Sequence, residues 1–268
     1  MNLMSKPLFK LSDLPMEELE HLELARDGKL LLSEADQKAL LAGRRTLQIP
    51  VPGINHVPTI DAKLSLLRNT AGEAELRLHP IYKNPTYPEE LTDVEAEKLI
   101  NGEATVIART VQKPGQPDRK YLFEFDPDTR EFIRTDPEKI ELPDRVNDET
   151  LTAAQKETLR KGKEVELSDG TRFRFTGVDP LPFRASKGML IASLLLDGGI
   201  SYVFYKGLRS LTGAKQEEKQ EAYSLGYRNA LEDMERAENQ LDKKPVDGLG
   251  QKTGDVETRG YSRSGRAR

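Results

Sequence analysis

The chain has no cysteine and no tryptophan among its 268 residues. The first absence excludes disulfides, thiolate metal sites and a cysteine nucleophile, and it suits a reducing, cytoplasmic setting. Histidine is nearly missing too: His21, His56 and His79 are the whole set. None has a second histidine or a carboxylate at metal-ligand spacing on its own element, so each reads as a surface or loop residue. No Gly-x-Ser-x-Gly elbow, Walker loop or dinucleotide fingerprint occurs. Asp126, Asp128 and Glu131 in "DPDTRE" lack the glycine and distal glutamate of a calcium loop, and read as a turn between strands. No enzyme, metal or cofactor is therefore expected.

Long hydrophobic runs are scarce as well. The N-terminus shows no apolar stretch of signal-peptide length. The richest run, Met189 to Tyr205, is 17 residues long and holds Asp197 at its middle, short of the roughly 20 uncharged residues of a membrane helix. No span is expected. The run is expected to be buried between helices or against the preceding units, with Asp197 capping a helix that starts near Gly199.

What the chain does have is one grammar used three times. Leu32, Leu91 and Leu151 are each followed eight residues on by Leu40, Leu99 and Leu159, and eleven on by Gly43, Gly102 and Gly162. The copies start 59 and then 60 residues apart, a period too regular for chance. Ser33, Thr92 and Thr152 are placed to cap a short helix. Glu95 and Gln155 complete a reciprocal capping box in the second and third copies. Val94 and Ile100 extend the apolar stripe of the second copy, and each glycine suits a left-handed helix end.

Strands follow each helix. In "AKLSLLRNTAGEAELRLHP", Leu76 and Leu78 point inward while Glu75 and Arg77 point out. "ATVIARTV" pairs with "RKYLFEFD", putting Tyr121, Phe123 and Phe125 on one face. Asp169-Gly170 turns a third hairpin, with Phe173 and Phe175 alternating with Arg172 and Arg174. The fold class is α+β: three related helix-plus-antiparallel-hairpin modules, then a helical C-terminal extension and a disordered tail. The expected units are residues 1–85, 86–146 and 147–182 for the modules, 183–242 for the extension and 243–268 for the tail.

The run "MEELEHLELARDGKLLLSEADQKALLAGRRT", the following "AKLSLLRNTAGEAELRLHPI" and the recurring L-T-x7-L-x2-G units resemble a group of uncharacterised bacterial domains. Those domains recur in proteins of conjugative transposons and other mobile elements. The resemblance spans roughly residues 14–180. It implies a cytosolic accessory factor and brings no catalytic residues with it.

Charge divides the chain unevenly. Residues 1–182 hold 26 Lys and Arg against 33 Asp and Glu, a balance of −7, whereas residues 183–268 hold 15 against 12, a balance of +3. Affinity for phosphate is therefore expected at the C-terminal end. Within 215–241, Tyr223, Tyr227, Ala230, Met234, Ala237 and Leu241 form a narrow stripe at coiled-coil spacing. The stripe packs on its own preceding helix as an αα-hairpin, or it is a seam for self-association or a protein partner, with Tyr223, Tyr227, Met234 and Leu241 as the contact residues. In the tail, Arg259, Arg263, Arg266 and Arg268 with Tyr261 resemble a short electrostatic arm for nucleic acid, weak and salt-dependent. The leading expectation is a non-catalytic interaction protein docking through 183–241. The alternative is a nucleic-acid accessory factor using the basic C-terminal region.

Overall fold

The computed structural model describes residues 8–53, 58–112, 115, 117–187, 190–196, 199–205 and 224–241. It is a mixture of short helices and several small antiparallel sheets. Helix α1 (Met16–His21) leads into the two-residue strands β1 (Ala25–Arg26) and β2 (Lys29–Leu30). Asp27 and Gly28 make the turn between them, both at positive φ, as a tight hairpin requires.

Helix α2 (Glu34–Leu41) starts where the Ser33 side chain accepts the Asp36 amide. Sheet strands β3 (Ile49–Pro52), β4 (Thr59–Arg68) and β5 (Ala74–Pro80) follow in spatial order. The same succession comes next as α3 (Asp93–Ile100), β6 (Ile107–Val111), β7 (Arg119–Asp126) and β8 (Glu131–Thr135). After the small pair β9 (Arg145–Val146) and β10 (Glu149–Thr150) comes α4 (Ala153–Arg160). It is followed by β11 (Val165–Glu166), β12 (Arg172–Phe175) and β13 (Phe183–Lys187).

Thr92 with Glu95, and Thr152 with Gln155, close the reciprocal boxes that start α3 and α4. Gly43, Gly102 and Gly162 all sit at φ between +66 and +71 just past the three helices. Leu40, Leu99 and Leu159 are buried, as their spacing requires. Val94 departs from expectation, being 65% exposed. It lies five positions from Leu99, about 140° around the helix, so α3 buries Ala96 and Leu99 instead.

Strand β7 carries cores on both faces. Phe123 packs with Leu91 and Leu99 of its own unit, while Leu122 belongs to the cluster formed by Leu151, Leu159, Phe173 and Phe183. Phe9, Leu19, Leu40, Leu64 and Leu66 make a separate N-terminal core.

The region after residue 182 differs from expectation. Strand β13 pairs with β12, so the expected boundary at 182 falls inside a sheet. The apolar run is not helical: it forms β14 (Leu190–Leu196) and β15 (Gly199–Tyr205), an antiparallel pair whose first strand also pairs with β9. A strand begins at Gly199 where a helix start was expected, and Asp197 lies outside the described residues. The overlooked signal is Asp-Gly-Gly between two apolar runs rich in aliphatic and aromatic residues, which is hairpin chemistry.

Helix α5 (Leu225–Leu241) lies against β14; residues 206–223, where the helix of the expected αα-hairpin would fall, lie outside the described residues. Ser224 accepts the Tyr227 amide and donates to Asp169, and Asn229 donates to Asp148. Among the described residues no helix is long and apolar enough to cross a membrane.

Candidate functional site

The first and second sheets meet through charge. On β4 the residues Ala62, Leu64 and Leu66 face the N-terminal core, so Lys63 and Ser65 face the other way. Those two are buried as well: the turn between β7 and β8 meets Lys63, and His79 meets Ser65. Lys63 Nζ lies 2.9 Å from both oxygens of Asp126 and 2.9 Å from Asp128. Arg45 reaches Glu131 at 2.6 Å and Asp126 at 3.6 Å. The stretch "DPDTRE" is thus a turn, as read from sequence, but its acids also clamp the neighbouring sheet.

His79 is not the surface residue expected. Its Nδ1 meets Glu131 at 3.1 Å, and its Nε2 meets the Ser65 hydroxyl at 2.8 Å, with only 12% of the side chain exposed. Burial alone would raise the Glu131 pKa; the bonds from His79 and Arg45 overcome that and hold it down at about 2.

Serine, histidine and carboxylate in this order are the components of a nucleophile relay. Two features argue for a structural use. Glu131 is shared with Arg45, which weakens its hold on the imidazole. Ser65 lies inside the central strand of its sheet, and the amide of its neighbour Leu64 is taken by the Thr46 hydroxyl, which keeps it from serving as an oxyanion donor beside Oγ.

Arg44 points the opposite way from Arg45. The Arg44 guanidinium donates to the carbonyls of Thr176, Pro180 and Asp179, and lies 5.8 Å from the Phe175 ring centre. Arg174 reaches Glu124, tying the third sheet to the second.

Where the three sheets converge they leave a half-open cleft of about 770 Å3. Its floor is the outer face of β4 and β5, contributing Ser65, Leu67, Arg77 and His79. One wall is β8, contributing every residue from Phe132 to Thr135, with Asp136 just beyond it; the other is the third sheet, with Phe175 and Phe183. Six Lys and Arg side chains line it against two carboxylates, and three of the six are paired with carboxylates beyond the lining: Arg45 with Glu131, Arg77 with Glu75 and Arg134 with Glu90. The Arg134 guanidinium stacks 4.8 Å from the Tyr121 ring centre and pairs with Glu90. Arg119 and Lys139 are exposed, and among the described residues no carboxylate pairs with either.

A concavity concentrates the field of the charges it holds, and this cleft holds two cations, Arg119 and Lys139, with no carboxylate paired to them among the described residues, on a chain of net charge −4. It lies within residues 1–192, mostly in the part whose sequence balance is negative. The expected phosphate affinity of the C-terminal end rests on a tail that lies outside the described residues. Alternation was the available signal for the cleft: Glu75, Arg77 and His79 interleave with Leu76 and Leu78, so a polar outer face follows directly from the strand period.

The sequence-predicted contact residues fall elsewhere. Tyr227 is 2% exposed, covered by the chain's own surface, so it offers no face to a partner in this arrangement. Met234 is partly buried on the same helix, and Leu241 is its last residue. Tyr223, Arg259, Arg263, Arg266 and Arg268 lie outside the described residues, as does the expected disordered tail. Among the described residues no group of three or more His, Asp or Glu is placed to hold a metal ion.

Residues 9–90 match the model of a family described as a protein of unknown function (DUF4099). The matched span runs from Phe9, the first residue of the N-terminal core, to the residue before Leu91. No curated protein and no solved structure matches the chain.

Proposed function

We propose that the protein is a non-catalytic interaction protein in which three related modules, each a capped helix followed by a three-stranded meander, hold a cationic cleft that receives an acidic protein partner. The carrying observation is the cleft lining, with Arg77, Arg119, Arg134 and Lys139 around its mouth and exposed Leu67 on its floor. The ion pairs around Lys63 and Arg45 keep neighbouring sheets in fixed register, and such preorganisation favours binding. A cytoplasmic accessory role in a bacterial mobile element rests on the sequence resemblance alone. Docking through the C-terminal helix is the weaker form of the proposal, because Tyr227 and Ala230 are already covered.

A second reading, nucleic-acid binding, is favoured by the guanidinium stacked on Tyr121 beside Arg119, a pairing of charge and aromatic surface suited to a single strand.

The test is a salt titration of labelled polyglutamate and labelled oligothymidylate against the full chain and the Arg119→Glu/Lys139→Glu double variant. The proposal expects polyglutamate to bind at low ionic strength and to be lost in the variant. No binding of polyglutamate at low salt, or equal binding by both proteins, overturns it. Preference for oligothymidylate moves the cleft to the second reading.

A further inference from the structure

The two sheets that frame the cleft present themselves to it differently. From the first sheet only alternate residues reach the lining: Ser65 and Leu67 on β4, Arg77 and His79 on β5. Alternation is the mark of a sheet seen face-on, because successive side chains point to opposite faces. From the second sheet the central strand β7 again gives only alternate residues, Arg119 and Tyr121, but β8 gives the consecutive residues Phe132 to Thr135. Consecutive exposure is the mark of a strand seen edge-on. β8 is also the terminal strand of its sheet, paired only with β7. Among the described residues no main-chain hydrogen bond reaches β8 from its outer side.

A bare edge strand is a template for another chain, and proteins ordinarily blunt or cover it. Here the edge opens into a concavity whose floor carries Arg77 and Leu67 and whose rim carries Arg119 and Lys139. A strand laid along β8 would direct alternate side chains toward that floor. Carboxylates suit the guanidinium, and aliphatic side chains suit Leu67, which is 40% exposed. Main-chain bonds to the edge supply affinity, and alternate side chains supply selectivity.

We infer that the cleft takes an extended acidic peptide segment by strand addition to the outer edge of β8. This rests on the acidic-partner reading above and specifies how that partner is held. The segment lies antiparallel or parallel to Glu131–Thr135, its acids over Arg77 and toward Arg119 and Lys139. Charge brings the ligand in, and the edge fixes its register.

The experiment uses the full chain and a short peptide of alternating glutamate and valine, with two derivatives. One is N-methylated at every odd residue and the other at every even residue. All three peptides carry the same charge, but each derivative loses the amide donors on one edge. Strand addition predicts that one derivative binds at least roughly tenfold more weakly than the parent, since several main-chain bonds are lost together, while the other stays close to it. Equal binding by both derivatives, with binding still abolished by Arg119→Glu/Lys139→Glu, overturns strand addition and leaves the acidic-partner reading standing. No binding by any of the three peptides at low salt overturns both. Tighter binding of oligothymidylate than of the parent peptide overturns the peptide assignment.

Discussion

Lys63 and Asp126 form a buried ion pair, 2% and 0% exposed, in which one ammonium contacts both carboxylate oxygens at 2.9 Å. They lie 63 residues apart in sequence, on the central strand of the first sheet and the end of β7. Two charges withdrawn from water in this way are tolerable only together. The pair therefore fixes one sheet against the other.

Lys63→Met is accordingly expected to cost up to about 3–5 kcal/mol, since it leaves the buried Asp126 carboxylate to Arg45 at 3.6 Å and the Asp128 amide. Combining it with Asp126→Leu should recover part of that loss. Urea unfolding of the two single variants and the double variant measures the coupling, and simple additivity would show that the pair does not interact.

Acid should loosen the same junction. The Glu131 pKa is held at about 2, below its ordinary 4.5, by His79 and Arg45 against the opposing effect of burial. A depressed folded-state value means stabilisation that is complete above about pH 4.5 and lost as pH falls toward 2. The contribution is at most on the order of 3 kcal/mol. Urea midpoints followed across that window should fall less steeply for Glu131→Gln than for the parent chain.

Two equivalent helix ends should respond unequally to a methyl group. Gly102 and Gly162 share φ near +70, so alanine at either carries the left-handed penalty of about 1–2 kcal/mol. A Cβ at Gly102 meets nothing within 4 Å, whereas at Gly162 it meets Val106 at 2.9 Å and Leu122 at 3.4 Å. Gly162→Ala should therefore lose about 1–3 kcal/mol more than Gly102→Ala. Equal losses would mean that the second and third units do not press together there.

Docking of α5 depends on Asp169. Burial disfavours its charge, yet bonds from Ser224, the Thr171 amide and Asn147 keep its carboxyl below the ordinary value. Asp169→Ala removes the anchor for Ser224, and residues 225–241 should become more sensitive to limited proteolysis while residues 8–112 stay protected. Unchanged cleavage would place the anchor elsewhere, with Tyr227 as the next candidate.

Sequence reasoning reached the local structure well. Ser33, Thr92 and Thr152 announced their helices because capping is decided within four residues, and the hairpin strands followed from two-residue alternation. It failed where the answer depends on what lies across from a residue. Ser65 and His79 look like ordinary solvent-face positions, and only the arrival of Glu131 from 52 residues away gives the histidine its place. The cleft was hidden for the same reason, since Arg77, Arg119 and the pair Arg134 and Lys139 come from three separate stretches. In the C-terminal third the error was one of period. An unbroken apolar run fits a buried strand as well as a helix, and the Asp-Gly-Gly within it should have decided for the strand.

Hydrogen-exchange mass spectrometry on the full chain, with and without the glutamate–valine peptide, tests the central claim most directly. The account predicts slower exchange at 131–136, together with 75–79 and 119–121, and little change in 225–241. Slower exchange confined to 225–241, with the cleft strands unaffected, would contradict it.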